Sequence, residues 1–277
     1  MKIHLLSFHL LLLTAAVCFS QTYSGATQSG SGRATADYAT AFGESSAMGI
    51  GATAAGWAYA MAPKATAFGN FAWASGENSL AVGDYSMATG FDSVALGCSL
   101  ADGEASFATN WAWAASLCSF AAGSSNTAGT LGYNFAFGDM AYSSSYCSMA
   151  MGDTAQATGL CSLAFGSSIA TGDYSTAIGY VTEARGMGQT VLGRYNIPLG
   201  SNNEDSQDDP LLIVGNGSAT ETGTTTTITQ SNALVISRKG DTKFYGKVLV
   251  SGSTNAVLIN PQGDLAMGQF MTGTKPQ

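Results

Sequence analysis

Hydrophobic and polar positions alternate in a regular repeat over roughly residues 36 to 193. The tripeptide Ala-x-Gly recurs at a step of seven residues, occasionally six. Early copies are Ala67–Gly69, Ala74–Gly76, Ala81–Gly83, Ala88–Gly90 and Ala95–Gly97. Its middle residue is apolar in every second copy and mostly polar in the copies between, as in Phe68, Ser75 and Val82. The true repeat is therefore about fourteen residues long and has two unlike halves.

Each half of the repeat has the period of a β-strand. In Ser93–Gly97, Val94 and Leu96 point to one side, and Ser93, Ala95 and Gly97 point to the other. A glycine every seven residues is incompatible with a helix. Two short strands and two tight turns then fill one coil, and stacked coils form parallel ladders with a spacing of about 4.8 Å.

The small residues of the repeat predict what lies inside the roll. Ala, Ser and Gly suit the interior of a flattened roll, where two sheets of one chain meet closely, and one outer face is predicted to be apolar. The apolar positions are Phe68, Val82, Leu96, Phe137, Met151, Phe165 and Ile178. A monomer rarely exposes so large an apolar area, so identical chains are expected to cover it by threefold packing.

Three runs carry a resemblance to a known family: Ser93–Gly97, Ser162–Gly166 and Ser175–Gly179. They resemble the Ser-x-Ala-apolar-Gly head repeat of YadA-like trimeric autotransporter adhesins. The resemblance implies a left-handed parallel β-roll, a homotrimer, and attachment to host matrix, glycans or other surfaces from the outer-membrane exterior. Those adhesins continue into a coiled-coil stalk and a membrane barrel, whereas no heptads follow Gly193. Self-anchoring is therefore not expected.

The chain is predicted to be exported and to consist of five segments. Lys2, an apolar stretch Leu5–Val17 and a cut after Ser20 are typical of a signal peptide, and no second apolar stretch of spanning length follows. The predicted segments are the signal peptide 1–20, a lead-in 21–35, β-roll repeats 36–193, an acidic connecting loop 194–210 and a β-rich segment 211–277. In the last, Leu211–Val214, Ala233–Ile236 and Lys247–Val250 are predicted strands. The runs Val191–Asn196, Ile213–Gly217 and Ser231–Leu234 resemble the β-rich segment that follows such heads in phage tail-fibre and bacterial surface proteins.

Composition narrows the chemistry further. Both histidines, His4 and His9, lie in the signal peptide, so the mature chain lacks the usual general base, and neither an enzyme nor a cofactor is expected. Residues 65 to 184 contain no Lys or Arg but nine Asp or Glu residues, which makes nucleic acid an unfavourable partner.

Two other functions compete with adhesion. A tail-spike-like fibre that binds or cleaves glycans would need paired acids, but the acids occupy turns after glycine, at Asp84, Asp139, Asp153 and Asp173. An ice-binding face would need a regular threonine array, and Thr89, Thr158 and Thr171 are interrupted by other residue types.

Aromatic residues in the first coils are the candidate ligand contacts. Trp57 and Phe71 are fourteen residues apart, as are Tyr59 and Trp73, and Tyr85 follows Phe71 at the same spacing. They are predicted on strands leading into the polar half of the repeat. Flat rings on an exposed sheet bind sugars or apolar surfaces, such as a matrix protein or glycan surface. The alternative is a ladder that stabilises the sheet or the trimer seam.

No metal site is predicted. Cys98, Cys118, Cys147 and Cys161 lack a C-x-x-C spacing and are expected at small, buried positions, although export permits disulfides. The acidic loop Ser201–Pro210 offers oxygens without the alternating spacing of a calcium loop, which favours a solvated turn. The basic cluster Arg238, Lys239, Lys243 and Lys247 is predicted to be the polar face of a hairpin.

Overall fold

A computed structural model describes residues 23–129, 132–201 and 206–246, together with the backbone of three strands between residues 248 and 266. The predicted signal peptide lies outside the described residues. All helix and strand elements of the described chain are β-strands. Over the same residues, no helix has the length and hydrophobicity needed to cross a membrane. Contacts divide the chain into two units, Met1–Asn110 and Trp111–Gln277.

Short strands in two rows build the first unit. In chain order they are β1 (Thr27–Ser29), β2 (Arg33–Ala34), β3 (Thr40–Gly43), β4 (Ser46–Ala47), β5 (Thr53–Ala60), β6 (Thr66–Ala74), β7 (Leu80–Val82), β8 (Met87–Ala88), β9 (Val94–Leu96), β10 (Leu100–Ala101) and β11 (Phe107–Thr109). One row contains β1, β3, β7, β9 and β11, and the other contains β2, β4, β8 and β10. The longer strands β5 and β6 run through both rows.

Neighbouring coils pair in parallel with a regular register. Thr66 lies opposite Leu80, and Leu80 lies opposite Val94, which makes each of these coils fourteen residues long. Thr40 lies opposite Thr53, so an earlier coil is one residue shorter. The predicted parallel β-solenoid of about fourteen residues per coil is confirmed.

The repeated Ser-x-Ala-apolar-Gly run has a physical reason at each position. The Ser93 hydroxyl is buried and donates to the carbonyl of Gly90 at 2.7 Å, which closes the turn. Ala95 is fully buried between the two rows, and Leu96 points outward. At Gly69 an added Cβ would lie 2.4 Å from the Gly83 carbonyl oxygen of the next coil, so the stacked turns require glycine.

The second unit begins with the same two-row arrangement. Its strands are β12 (Trp113–Ala114), β13 (Phe120–Ala122), β14 (Asn126–Thr127), β15 (Phe135–Phe137), β16 (Tyr142–Ser143), β17 (Met149–Met151), β18 (Gln156–Ala157), β19 (Leu163–Ala170), β20 (Thr176–Ala184), β21 (Thr190–Arg194) and β22 (Pro210–Asn216). The row that contains β13, β15 and β17 continues through the first halves of β19 and β20 to β21 and β22. Buried alanines fill the interior until Val191 and Ile213 replace them in the last coils.

The parallel pairing extends beyond the predicted limits of the roll. It begins at β1, before residue 36, and it ends at β22, where Thr190 lies opposite Leu212. The predicted connecting loop therefore joins two strands, β21 and β22, that pair in register. The predicted boundaries of the roll, residues 36 and 193, were drawn near where the Ala-x-Gly tripeptides end. The first and last coils pair in parallel although they lack this tripeptide.

Antiparallel strands follow the roll. They are β23 (Ser218–Thr222), β24 (Thr225–Thr229), β25 (Asn232–Ser237), β26 (Thr242–Phe244), β27 (Val248–Ser251), β28 (Ala256–Ile259) and β29 (Leu265–Ala266). β25 pairs with β22 and with β26, β23 pairs with β24, and β28 pairs with β27 and β29. The three strands predicted for this segment correspond to β22, β25 and β27.

Amide side chains complete the backbone pairing where the parallel ladder stops. The Asn196 side chain is buried; its Nδ2 donates to the Glu183 carbonyl at 3.0 Å, and its Oδ1 accepts from the Glu183 N–H at 2.8 Å. Asn232 makes the same pair of bonds to Ile197. Each side-chain amide makes the two hydrogen bonds that a further strand would make, so the backbone N–H and carbonyl groups at this edge remain paired.

Candidate attachment surface

Strand alternation determines which aromatic side chains of the first unit face outward. On β5, Ala58 and Ala60 are fully buried, so Trp57 and Tyr59 point away from the interior. On β6, Ala72 and Ala74 occupy the equivalent buried positions beneath Phe71 and Trp73. All four predicted contact residues are therefore on the outside of this unit.

These rings contact one another from coil to coil. The Trp57 and Phe71 centroids are 5.5 Å apart with an edge-to-face arrangement, and Tyr59 and Trp73 are also 5.5 Å apart. Phe71 stacks on Tyr85 at 5.1 Å, so the group extends to a third coil. We call Trp57, Tyr59, Phe71, Trp73 and Tyr85 the aromatic patch. Each of its rings remains between 37% and 56% exposed.

The aromatic patch occupies two adjacent columns. Tyr59 lies opposite Trp73 in register, and Trp73 lies opposite Met87, all on the outer side of the second row. Trp57 lies opposite Asn70 by backbone register, and Phe71 and Tyr85 have positive φ values of 54° and 52°. The second column, which contains Trp57, Phe71 and Tyr85, therefore lies at the corner between the rows. The left-handed conformation of Phe71 and Tyr85 interrupts the alternation of inward and outward side chains along the strand. The fourteen-residue spacing of the aromatic residues could not reveal this interruption.

In the first unit, the outer side of the second row is less polar than the sequence predicts. Met48, Met61 and Met87 are each about 40% exposed there, beside Tyr59 and Trp73. The polar residues that define this half of the repeat, such as Thr89, share the row with these apolar side chains. Exposed apolar area is therefore present on both outer sides of the first unit.

Polar groups border the patch. The Asn70 amide donates to the Asp84 carboxylate at 2.8 Å across neighbouring coils. A shallow depression of about 270 Å³ lies beside this pair and is lined by Gly56, Trp57, Gly69 and Asn70. Sequence reasoning missed Asn70 and Asp84, although their fourteen-residue spacing was the available signal. The aromatic patch is therefore bordered by an amide and a carboxylate group.

The outer side of the first row, which we call face A, carries the predicted apolar positions. In the first unit, Phe68 is 39% exposed, and Val82 and Leu96 are half-buried. In the second unit, Phe137, Phe165 and Ile178 are exposed and Met151 is half-buried. Each unit therefore presents an apolar column on face A.

The cysteines were expected to be buried, and this prediction is wrong. Cys118, Cys147 and Cys161 are exposed, and Cys98 is half-buried. Cys118, Cys147 and Cys161 occupy turn positions with positive φ, outside the small-residue interior. The buried small positions are filled by Ala and Ser instead.

Several acidic and basic side chains have hydrogen-bond or ion-pair partners nearby. The Asp173 carboxylate accepts from the Leu160 N–H at 2.8 Å, and Thr89 donates to Asp102 at 2.6 Å. Lys239 pairs with Asp208, which raises the pKa of the lysine through a hydrogen bond and the nearby charge. Among the described residues, no three His, Cys, Asp or Glu side chains form a group that could hold a metal ion.

Further residues of the predicted polar hairpin and acidic loop border a cleft of the second unit. The cleft has a volume of about 430 Å³, and its lining includes Asp208, Asp209, Asp241 and Lys243. Residues 202–205 of the acidic loop and Lys247 lie outside the described residues.

Comparison with known proteins supports the resemblance found in the repeats. The family model described as the YadA head domain repeat (2 copies) matches residues 62–86, 148–168, 166–182 and 170–188. No curated protein matches the chain. The matched segments lie on the parallel coils of both units, and the family is one of surface-exposed, structural and adhesive proteins. The chain therefore carries YadA-like head repeats.

Proposed function

We propose that this protein is an exported, trimeric adhesive head that binds glycan or matrix-protein surfaces through the aromatic patch. The observation that carries the proposal is the patch itself: five contacting rings, each at least one-third exposed, beside the Asn70–Asp84 pair. Rings that served only to stabilise the coil would not need so much exposed area. Trp and Tyr offer large contact area at low entropic cost, which suits binding.

Face A supports the trimeric part of the proposal. Its apolar columns project from the roll and do not contribute to the alanine interior. Contact between equivalent columns of three chains would remove this surface from water and leave the aromatic patch at the corner of each chain. The acidic, lysine-free coils between residues 65 and 184 disfavour nucleic acid as a partner.

The proposed head has no catalytic role and needs no cofactor. Asp84 accepts from Asn70, and Asp173 accepts from a backbone N–H, so these acids have structural partners at turns. A glycosidase would require two carboxyl groups about 5–10 Å apart around one sugar linkage.

Binding to a glycan and matrix-protein array tests the function. The change Trp57→Ser together with Trp73→Ser should reduce binding by roughly 30-fold to several hundred-fold, since each ring contributes about 1–2 kcal/mol. The matched control is Trp111→Ser with Trp113→Ser, which removes two exposed rings from the second unit. Equal loss in both variants, or retained binding in the first, would refute the role of the patch. Circular dichroism confirms that both variants keep their β-structure.

A further inference from the structure

The second unit contains a column of turn residues in the left-handed conformation. Cys118, Tyr133, Cys147, Cys161 and Tyr174 have φ values between 50° and 65°. Each precedes a buried Ser or Asn that lies directly before the next strand of the first row, as Cys147 precedes Ser148 and β17 begins at Met149. These residues therefore occupy the same position in successive coils.

Cys147 and Cys161 are direct neighbours in this column. The Cys161 N–H donates to the carbonyl of Tyr146 at 2.8 Å, and two residues further on Met149 lies opposite Leu163 in register. Adjacent parallel strands are about 4.8 Å apart, and disulfides join Cα atoms separated by roughly 4.4–6.8 Å. The backbone thus holds the two cysteines at a separation that a disulfide requires.

The two thiols also lie close enough to interact. Desolvation and the neighbouring Cys147 thiol raise the pKa of Cys161. Cys147 is also the largest cause of the raised pKa of the Tyr146 phenol. Tyr146 and Tyr133 form an edge-to-face pair at 5.6 Å beside the thiols. Both cysteines remain exposed, so an oxidant has access to them.

We propose that Cys147 and Cys161 form an intrachain disulfide that crosslinks two adjacent coils of the second unit. Both thiols lose their protons, one S–S bond forms, and two electrons pass to a small organic disulfide, whose own S–S bond breaks to release two thiols. Cys118 is excluded as a partner of Cys147 because the coil of Tyr133 lies between them. Two coil steps span roughly 9.6 Å, beyond the reach of a disulfide.

The crosslink closes a loop of fourteen residues and opposes separation of the two coils. A disulfide that closes a loop of this length stabilises the folded chain mainly by restricting the conformations of the unfolded chain. Disulfides persist in the extracellular compartments that an exported protein reaches. Oxidation of the purified chain tests the geometry without depending on export or on the proposed adhesion.

Fragment mapping distinguishes the possible pairings. Cleavage before aspartate places the cysteines in separate fragments: Cys98 in 92–101, Cys118 in 102–138, Cys147 in 139–152 and Cys161 in 153–172. The chain from residue 21 onward, which lacks Cys18 of the predicted signal peptide, is oxidised with dithiodipyridine. Its remaining free thiols are alkylated, and the digest is analysed by mass spectrometry without reduction. The expected product joins 139–152 to 153–172, while the fragments that contain Cys98 and Cys118 each carry a single cap, either an alkyl group or a thiopyridyl group from the oxidant. Separate capping of Cys147 and Cys161 by alkyl or thiopyridyl groups, or a linkage that uses another cysteine or another chain, would overturn the proposal.

Thermal unfolding tests the effect of the crosslink on the roll. Oxidation should raise Tm of the wild-type chain by roughly 5–10 °C. The same rise is expected in Cys118→Ser and not in Cys147→Ser or Cys161→Ser, which both keep the fold in the reduced state. An equal Tm for oxidised and reduced wild-type protein would contradict the stabilising role.

Discussion

A charge on face A provides the sharpest test of the trimer. Phe165 lies in the second unit between Met151 and Ile178 of the neighbouring coils and is 44% exposed in the single chain. A phenylalanine side chain offers on the order of 200 Å² of surface, so about 90 Å² remains for an interface to cover. At about 25 cal/mol per Å², this burial contributes roughly 2 kcal/mol per chain. Three chains related by symmetry would therefore lose about 6 kcal/mol when Phe165 is removed.

The change Phe165→Asp adds a second cost. A carboxylate taken out of water without a partner costs several kcal/mol, and threefold symmetry brings three such charges together. We therefore expect the variant to dissociate or aggregate at micromolar concentration, while the wild-type chain has the mass of a trimer. Light scattering coupled to size exclusion measures both masses.

Thr158→Asp is the matched control for this experiment. Thr158 follows β18 on the second row of the same unit, so its charge would lie on the opposite outer side. The control should retain the trimer mass, and circular dichroism should show that both variants keep their β-structure. A wild-type mass equal to one chain would refute the trimer, and an intact trimer of Phe165→Asp would refute face A as its contact.

Three further predictions concern the coil itself. Gly69→Ala should lower the free energy of unfolding by about 1–3 kcal/mol because its Cβ would lie 2.4 Å from a carbonyl of the next coil; Gly223→Ala, where the added Cβ meets nothing within 4 Å, should lose less in the same urea titration. Ala164→Leu should lower stability by roughly 1–3 kcal/mol or more in thermal unfolding, because this position is fully buried between the two rows, and an unchanged Tm would contradict the alanine interior. In the reduced protein, alkylation of Cys161 should rise with pH at a midpoint above the ordinary thiol value, because desolvation and Cys147 raise its pKa and only the thiolate reacts. Cys147→Ser should move that midpoint down, and an unmoved midpoint would contradict an interaction between the thiols.

The local sequence determined the coil. Side chains in a strand alternate with a period of two, so the run Ser93–Gly97 specifies which residues point inward wherever it is paired. Alanine at the inner position and glycine at the turn permit only a thin roll, since larger side chains would meet the facing row or the next coil. The parallel fold, the coil length and the outward direction of Trp57, Tyr59 and Trp73 therefore followed from the sequence pattern.

Tertiary structure decided what happens where the alternation is interrupted. Left-handed residues at the turns place Phe71 at a corner and Cys147 and Cys161 in an exposed column, and no local pattern distinguishes these positions from strand positions. The pairing of Thr190 with Leu212 likewise depends on hydrogen bonds between β21 and β22, which are far apart along the chain. Local sequence determines the direction of each side chain along a strand, whereas neighbours between coils are set by long-range backbone pairing, which exists only once the coils have stacked.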